Sequence, residues 1–258
     1  MHPSTPITAV IITNNEERNI ARCLESLRGI ADEVIVVDSG STDQTEAICH
    51  TLGATFIRQE WLGYSAQKNF GNSRAAHDWI LSLDADEALS DILHGAILHH
   101  KKNGLQGAFR FNRLTNYCGH WVRHCGWYPD KKTRLFHRQQ ARWEGQFVHE
   151  ELVVQAGISV TDLPGDLLHY SYYTVQEHRE RSLKYARLGA EKIAAKKSTS
   201  FLKPHLSAAT RFVQMYLLKA GFLDGWAGWK IATITAKETF MKYSLARKLK
   251  IKIVDRRL

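Results

Sequence analysis

The chain has 258 residues, enough for one sizeable domain or for a domain with a smaller extension. With 44% hydrophobic and 24% charged residues it has the composition of a folded globular protein, which excludes a disordered or fibrous chain. The net charge of +9 is unevenly placed: residues 179–258 hold 19 Lys and Arg against 5 Asp and Glu, whereas residues 1–178 hold 16 against 21.

No run reaches the about 18 apolar residues of a membrane-spanning helix. The opening MHPSTP carries no basic region and the apolar run behind it is short, so no secretory signal is expected. Four scattered cysteines (Cys23, Cys49, Cys118, Cys125) do not make a disulfide framework, and a reducing cytoplasm is the expected compartment.

In chain order, Ile7–Thr13 is a continuous β-branched apolar run and reads as a buried strand. Residues 17–27 place Ile20, Leu24 and Leu27 on one helical face. A second strand is expected over 33–37, a helix over 42–52, a short strand over 55–57, a helix over 64–76 and a strand over 79–83. This alternation predicts an α/β fold with a Rossmann-like, mostly parallel sheet flanked by helices, and ligands beyond the carboxyl ends of its strands. From 107 to about 169 the texture changes to short β-prone runs (108–112, 133–137) among Gly, Trp and His, a pattern suited to added strands and acceptor-binding loops. Helices are expected over 176–197, 205–220 and 226–248, with a break at 221–225. The division predicted is a catalytic domain over 1–173, with a nucleotide half of about 1–106 and an acceptor half of about 107–173, and a basic helical extension over 174–258.

Three motifs carry chemistry. Thr13-Asn14-Asn15-Glu16 ends the first strand; it reads either as a capping box, Thr13 at N-cap and Glu16 at N3, or as polar groups offered to a nucleobase or ribose. Asp38 ends the second strand ahead of Ser39-Gly40-Ser41-Thr42-Asp43; a carboxylate there suits a ribose or base edge, and a plain turn is the alternative. Leu81-Ser82-Leu83-Asp84-Ala85-Asp86-Glu87 drives an apolar strand into three acids. Alternate residues of a strand face opposite ways, so Asp84 and Asp86 need a local turn to converge on one ion. Their hard oxygens suit Mg²⁺ or Mn²⁺, and an acidic helix start is the alternative.

The order TNNEE, VVDSGSTDQT, QKNFG, LSLDADE resembles the inverting glycosyltransferases of family 2, which have the GT-A fold. The later segments GWYPDKKTRLFHR, FVHEE, LLHYSY and GFLDGWAGWKIA are similar to one branch of that family, the sugar transferases of lipopolysaccharide core assembly. The likeness spans roughly residues 7–245.

The resemblance implies an inverting transfer of a sugar, glucose from UDP-glucose by analogy with the branch, onto a glycan or lipid-linked acceptor. It implies that Thr13, Asn15, Glu16 and Asp38 hold the nucleoside and that Lys68 meets the nucleotide or its phosphates; Lys68 and Asn69 otherwise read as exposed helix residues. Asp84 would face ribose or metal and Asp86 would be the direct metal ligand, with His169 as a third ligand and His149 behind it. One carboxylate must take the acceptor proton; Glu150 is the first candidate base and Glu151 the second, in a His-Glu-Glu where many relatives carry a Glu-Asp or similar pair. Arg134 is a candidate phosphate or acceptor clamp, because guanidinium binds phosphate in a bidentate way, and Trp127 lies in a loop suited to stacking on a sugar.

The basic, aromatic-rich stretch 201–248 suits a peripheral position on the anionic inner face of the cytoplasmic membrane or an ordinary helical subdomain; no nucleic-acid partner is expected. Cys118, His120, His124 and Cys125 match no common zinc spacing, and no Walker loop surrounds Lys68. The competing readings are a sugar-nucleotide nucleotidyltransferase, whose glycine-rich signature after the first strand is missing, and a non-catalytic basic binding protein, which leaves the acids at the strand ends unexplained.

Overall fold

The computed structural model describes residues 4–145, 150–196 and 200–255. The chain divides into two compact units. Unit 1 comprises residues 1–113 and 130–170, and unit 2 comprises 114–129 and 171–258. The segment 114–129 groups with the C-terminal helices in unit 2.

In unit 1 the elements run β1 (Ile7–Thr13), α1 (Ile20–Ser26), β2 (Glu33–Asp38), α2 (Thr45–Thr51), β3 (Thr55–Arg58), α3 (Tyr64–Arg74), β4 (Trp79–Asp84), β5 (Glu87–Leu89), α4 (Asp91–Asn103) and β6 (Ala108–Tyr117). After β7 (His120–Val122), which belongs to unit 2, follow β8 (Asp130–His137), β9 (Ala141–Glu144), β10 (Glu151–Val154) and β11 (Val160–Tyr172). The main sheet has the order β3-β2-β1-β4-β8-β6-β11-β5. Its first four strands are parallel; β8 joins β4 antiparallel, β6 joins β8 antiparallel, and β5 pairs antiparallel with β11. β9 and β10 form a separate antiparallel ribbon.

The apolar run of β1 is buried on both faces. Ile7, Ala9 and Ile11 join one core with Cys23, Leu24 and Leu27 of the α1 region and with Leu93 and Ile97 of α4. Val10 and Ile12 join a second core with Phe70 of α3 and Ala75. Helices on both sides of a parallel sheet demand such continuous, non-alternating strands.

Helix starts differ from the sequence expectations. Thr13 caps nothing: α1 begins only at Ile20, with Asn19 at its N-cap, because Asn15 adopts a left-handed φ of 54° that a helix cannot pass through. α2 likewise starts at Thr45 rather than 42, since Ser41 is committed to Asp38 instead of a cap.

In unit 2, α5 (Val175–Lys196) and α6 (Lys203–Val213) pack on the long α7 (Gly225–Asp255), with a π turn over Gln214–Leu218 and a 3₁₀ turn over Gly221–Asp224 between α6 and α7. Small residues set the spacing, with Ala190 and Ala194 of α5 meeting Ala246 of α7. The segment 114–129 is held by a clasp built from GFLDGWAGW. Buried Asp224 accepts from the backbone of Arg123 (3.1 Å) and His124 (2.8 Å) and lies 3.0 Å from His124 Nδ1. Cys125 donates to the Gly228 carbonyl at 3.6 Å, and a Cβ at Gly221 would lie 2.5 Å from Cys125 Sγ. His124 and Cys125 thus have structural partners, and all four cysteines are free thiols.

Gly71 of α3 explains why the helix can lie against the sheet: a Cβ there would come within 2.4 Å of Val10 Cγ1 and 3.0 Å of Val37 Cγ2. Gly71→Ala is expected to destabilise the protein by about 1–3 kcal/mol, the cost of overpacking a filled core. Gly95→Ala in α4, where a Cβ meets nothing within 4 Å, should be neutral or stabilising by up to about 1 kcal/mol. Urea denaturation of the two variants checks the contrast, and equal effects would contradict it.

Candidate active site

Strand register brings the first polar residues to one rim. Thr13 lies beside Asp38 across β1 and β2, and Ile12 lies beside Asp84 across β1 and β4. Parallel strands end together at their carboxyl edge, so all three motifs open there.

The loops after β1 and β2 are laced to each other. The Asp38 carboxylate accepts from the Gly40 amide (2.9 Å), the Ser41 amide (2.8 Å) and the Ser41 hydroxyl. Ser41 Oγ accepts in turn from the Asn15 amide at 2.7 Å, Asn15 Oδ1 accepts from the Thr42 amide at 2.8 Å, and the Glu16 amide donates to Thr45 Oγ1 at 2.9 Å. Glu16 Oε2 accepts from Asn19 Nδ2 at 2.7 Å. Asp38 is buried and organises its own turn, so the turn reading of this motif accounts for its carboxylate contacts. Thr13 Oγ1 is buried with no hydrogen-bond partner among the described residues.

Next along the rim is a charged cluster. Lys68 is only 1% exposed, against the exposed alternative read from the sequence. Its helix α3 buries Gln67, Lys68, Gly71 and Asn72 on one face, and residues three and four apart share a face. Lys68 Nζ lies 2.9 Å from Asp84 Oδ1, 3.8 Å from Glu150 Oε1 and 4.3 Å from the centre of the Trp143 ring. Asn69, also not a free surface residue, donates to the Trp143 carbonyl at 2.8 Å and anchors β9.

Arg134 of β8 reaches Asp84 Oδ2 at 3.0 Å and Glu87 Oε1 at 2.8 Å. Glu87 is wholly buried, accepts from the Asp84 amide at 3.0 Å and lies 3.5 Å from Arg113 Nη1. Burial alone would push the Asp84 carboxyl up, but Lys68 and Arg134 together hold it well below the usual carboxylate range. Burial works against the Arg134 cation, yet Glu87 and Asp84 push its pKa up. Glu87 is a positioning residue to which sequence reasoning assigned no role. The available signal was a third acid immediately after a buried strand, with Arg113 and Arg134 on strands that had yet to be ordered.

A two-residue turn, Ala85-Asp86, separates β4 from β5. It sends Asp86 to His169 on β11, with Asp86 Oδ2 3.2 Å from His169 Nε2. Burial raises the Asp86 pKa, but His169 and Arg113 together bring the net direction down. The three-ligand set of Asp84, Asp86 and His169 is not assembled. Asp84 is drawn onto two cations, and among the described residues no group of three or more His, Cys, Asp or Glu is placed to hold a metal. His149 lies outside the described residues.

The two candidate bases separate. Glu150, with 24% of its side chain exposed, faces Lys68, whereas Glu151 begins β10, pairs in register with Glu144 and is exposed. Trp127 belongs to unit 2, where it stacks on Tyr172 at 5.8 Å and meets Tyr117 and His178 edge-on. The sugar-stacking expectation therefore meets an aromatic cluster that already occupies this ring.

Comparison with known proteins agrees with the fold. Residues 8–162 match the family model for glycosyl transferase family 2. An uncharacterized glycosyltransferase of Rickettsia prowazekii is 31% identical over 95% of this chain and 88% of its own length. The lipopolysaccharide core biosynthesis glycosyltransferase LpsC of Rhizobium meliloti is 28% identical over 95% of this chain and 96% of its own. Among solved structures, the mannosyltransferase PcManGT of Pyrobaculum calidifontis, in complex with GDP-Man and Mn²⁺, is similar in fold with a TM-score of 0.52 at 15% identity, covering 97% of this chain and 88% of that one. The fold is GT-A, with a long C-terminal helix.

Glu87→Gln leaves Arg134 and Arg113 short of a buried counter-charge and is expected to cost about 3–5 kcal/mol. Arg110→Ala, which removes an exposed pair with Asp162, should cost about 1 kcal/mol or less. Denaturant titration of both variants measures the difference; a Glu87→Gln protein as stable as the parent would contradict the network.

Proposed function

The chain belongs to glycosyl transferase family 2, and from that membership we propose that it transfers glucose from UDP-glucose, with inversion, to a hydroxyl of a lipopolysaccharide-core or similar cell-envelope glycan. That it is a glycosyltransferase using a nucleotide-sugar donor follows from the family; the sugar, the acceptor and the inversion are our reading. The 28% identity to LpsC over nearly the whole chain supports the acceptor class.

One observation carries the mechanism: Lys68 Nζ lies between Asp84 at 2.9 Å and Glu150 at 3.8 Å, so the rim motif and the candidate base flank one cation. In this reading Thr13, Asn15, Glu16 and Asp38 hold the nucleoside, with the unpartnered Thr13 hydroxyl free to bond it. Lys68 and Arg134 face the diphosphate. The Arg134 Nε–H is buried without a hydrogen-bond partner among the described residues, a donor that a phosphate oxygen would satisfy. Asp84 keeps both cations in place.

Asp86 and His169 are an oxygen and a nitrogen donor 3.2 Å apart, a set that fits Mg²⁺ or Mn²⁺ with its remaining positions left to waters and phosphate. When bound, the ion neutralises charge on the departing diphosphate. Glu150 takes the proton of the acceptor hydroxyl, the oxygen attacks the anomeric carbon, and the bond from that carbon to the diphosphate oxygen breaks. Glu151, on the outer side of the ribbon, has no such part.

Glu150→Gln is expected to lower the transfer rate by about 10²–10⁴-fold with donor affinity retained, whereas Glu151→Gln leaves the rate near normal. Nucleoside diphosphate release in the presence of acceptor, together with calorimetric donor binding, tests this. A normal rate for Glu150→Gln removes it from the role.

A further inference from the structure

Unit 2 carries an exposed apolar surface. Across the π turn, the 3₁₀ turn and the start of α7, the side chains of Leu217, Leu218, Phe222, Leu223, Trp226 and Trp229 are all about half or more exposed. They sit on a packed base: Phe212 stacks on Tyr216 at 5.3 Å, and Trp229 lies edge-on to both rings at 5.4 and 5.3 Å. Consecutive exposed apolar residues on an ordered turn are unusual in a surface meant only for water.

The charges around this rim have one sign. Between residues 210 and 230 the cations are Arg211, Lys219 and Lys230. The single acid in that stretch, Asp224, is buried and bonded to the 123–124 backbone and His124. The rim therefore presents leucine, phenylalanine and tryptophan beside lysine, with no exposed carboxylate of its own segment.

We propose that this rim docks unit 2 on an anionic bilayer surface. Apolar tips enter the headgroup–acyl boundary, tryptophans take the interfacial level, and the lysines and Arg211 meet anionic headgroups. Charge decides between this occupant and a second copy of the chain. Residues 179–258 have 14 more basic than acidic residues, so a twofold contact through the rim brings like charges together, whereas an anionic leaflet attracts them. Among the described residues no helix is long and apolar enough to cross a membrane, which fits docking on the surface. Vesicle binding needs no donor or acceptor, so its failure would leave the glycosyltransferase reading untouched.

The test is co-flotation of the full chain with vesicles of mixed phosphatidylglycerol and phosphatidylcholine, or of phosphatidylcholine alone, at low and high salt. Binding is expected to the anionic vesicles at low salt, weaker by about tenfold or more on neutral vesicles and at high salt. The double substitution Leu218→Asp with Leu223→Asp should abolish it. A second variant, Lys219→Glu, reverses one charge and leaves every exposed leucine, phenylalanine and tryptophan of the rim in place, and should weaken it on its own. Equal binding to neutral vesicles, no binding to either, or unchanged binding by both variants overturns the proposal. So does a dimer, by light scattering, that Leu218→Asp with Leu223→Asp converts to monomer, since the rim would then belong to a second copy.

Discussion

The arrangement of unit 1 depends on neutralising a carboxylate that the fold draws inward. Asp84 ends an interior strand, and Lys68 and Arg134, which contact one oxygen each, hold its carboxyl well below the usual carboxylate range. Glu87 then balances Arg134 from the opposite side. Lys68, Glu87 and Arg134 are buried, and a buried ion without partners costs several kcal/mol, so α3, β5 and β8 must be in register for these charges to be tolerated. The same constraint gives the rim its chemistry: two fixed cations and an acid held ionised, in a setting where a diphosphate would find positive charge already oriented.

Much of this was legible in the residues. The continuous apolar runs of β1, β2 and β4 announced a parallel, doubly covered sheet, and the acids at their ends marked its carboxyl edge. The bounds of β1 to β4 matched to within one residue, whereas β6 and β8, read as 108–112 and 133–137, run over 108–117 and 130–137 because their ends carry polar residues with no apolar signature. Lys68 illustrates what was harder. A lysine in a weakly amphipathic helix reads as solvated, and only its position three residues before Gly71, which must face the sheet, betrays its inward direction. Glu87 was harder still, because its partners Arg113 and Arg134 come from strands whose order the sequence does not encode locally.

The carboxylate at Asp38 and the polar run at Thr13 show the opposite limit. Both sit at the rim, yet Asp38 spends its oxygens on the turn it starts, and Asn15 links that turn to the loop after β1. Motif residues can serve a ligand by shaping a loop as well as by touching it. The late GFLDGWAGW motif is another structural device: Asp224, Gly221 and Gly228 clasp the segment 120–125 within unit 2. What the helices expose beyond that clasp is apolar and basic.

A diphosphate and a divalent ion are expected to share the rim formed by Lys68, Arg134, Asp86 and His169. Calorimetric titration of UDP into the protein, with Mn²⁺ or with EDTA, and into Asp86→Ala, addresses it directly. Metal-dependent binding that weakens by about tenfold or more in Asp86→Ala is expected. UDP binding of equal strength with EDTA, with Mn²⁺ and in Asp86→Ala would contradict it.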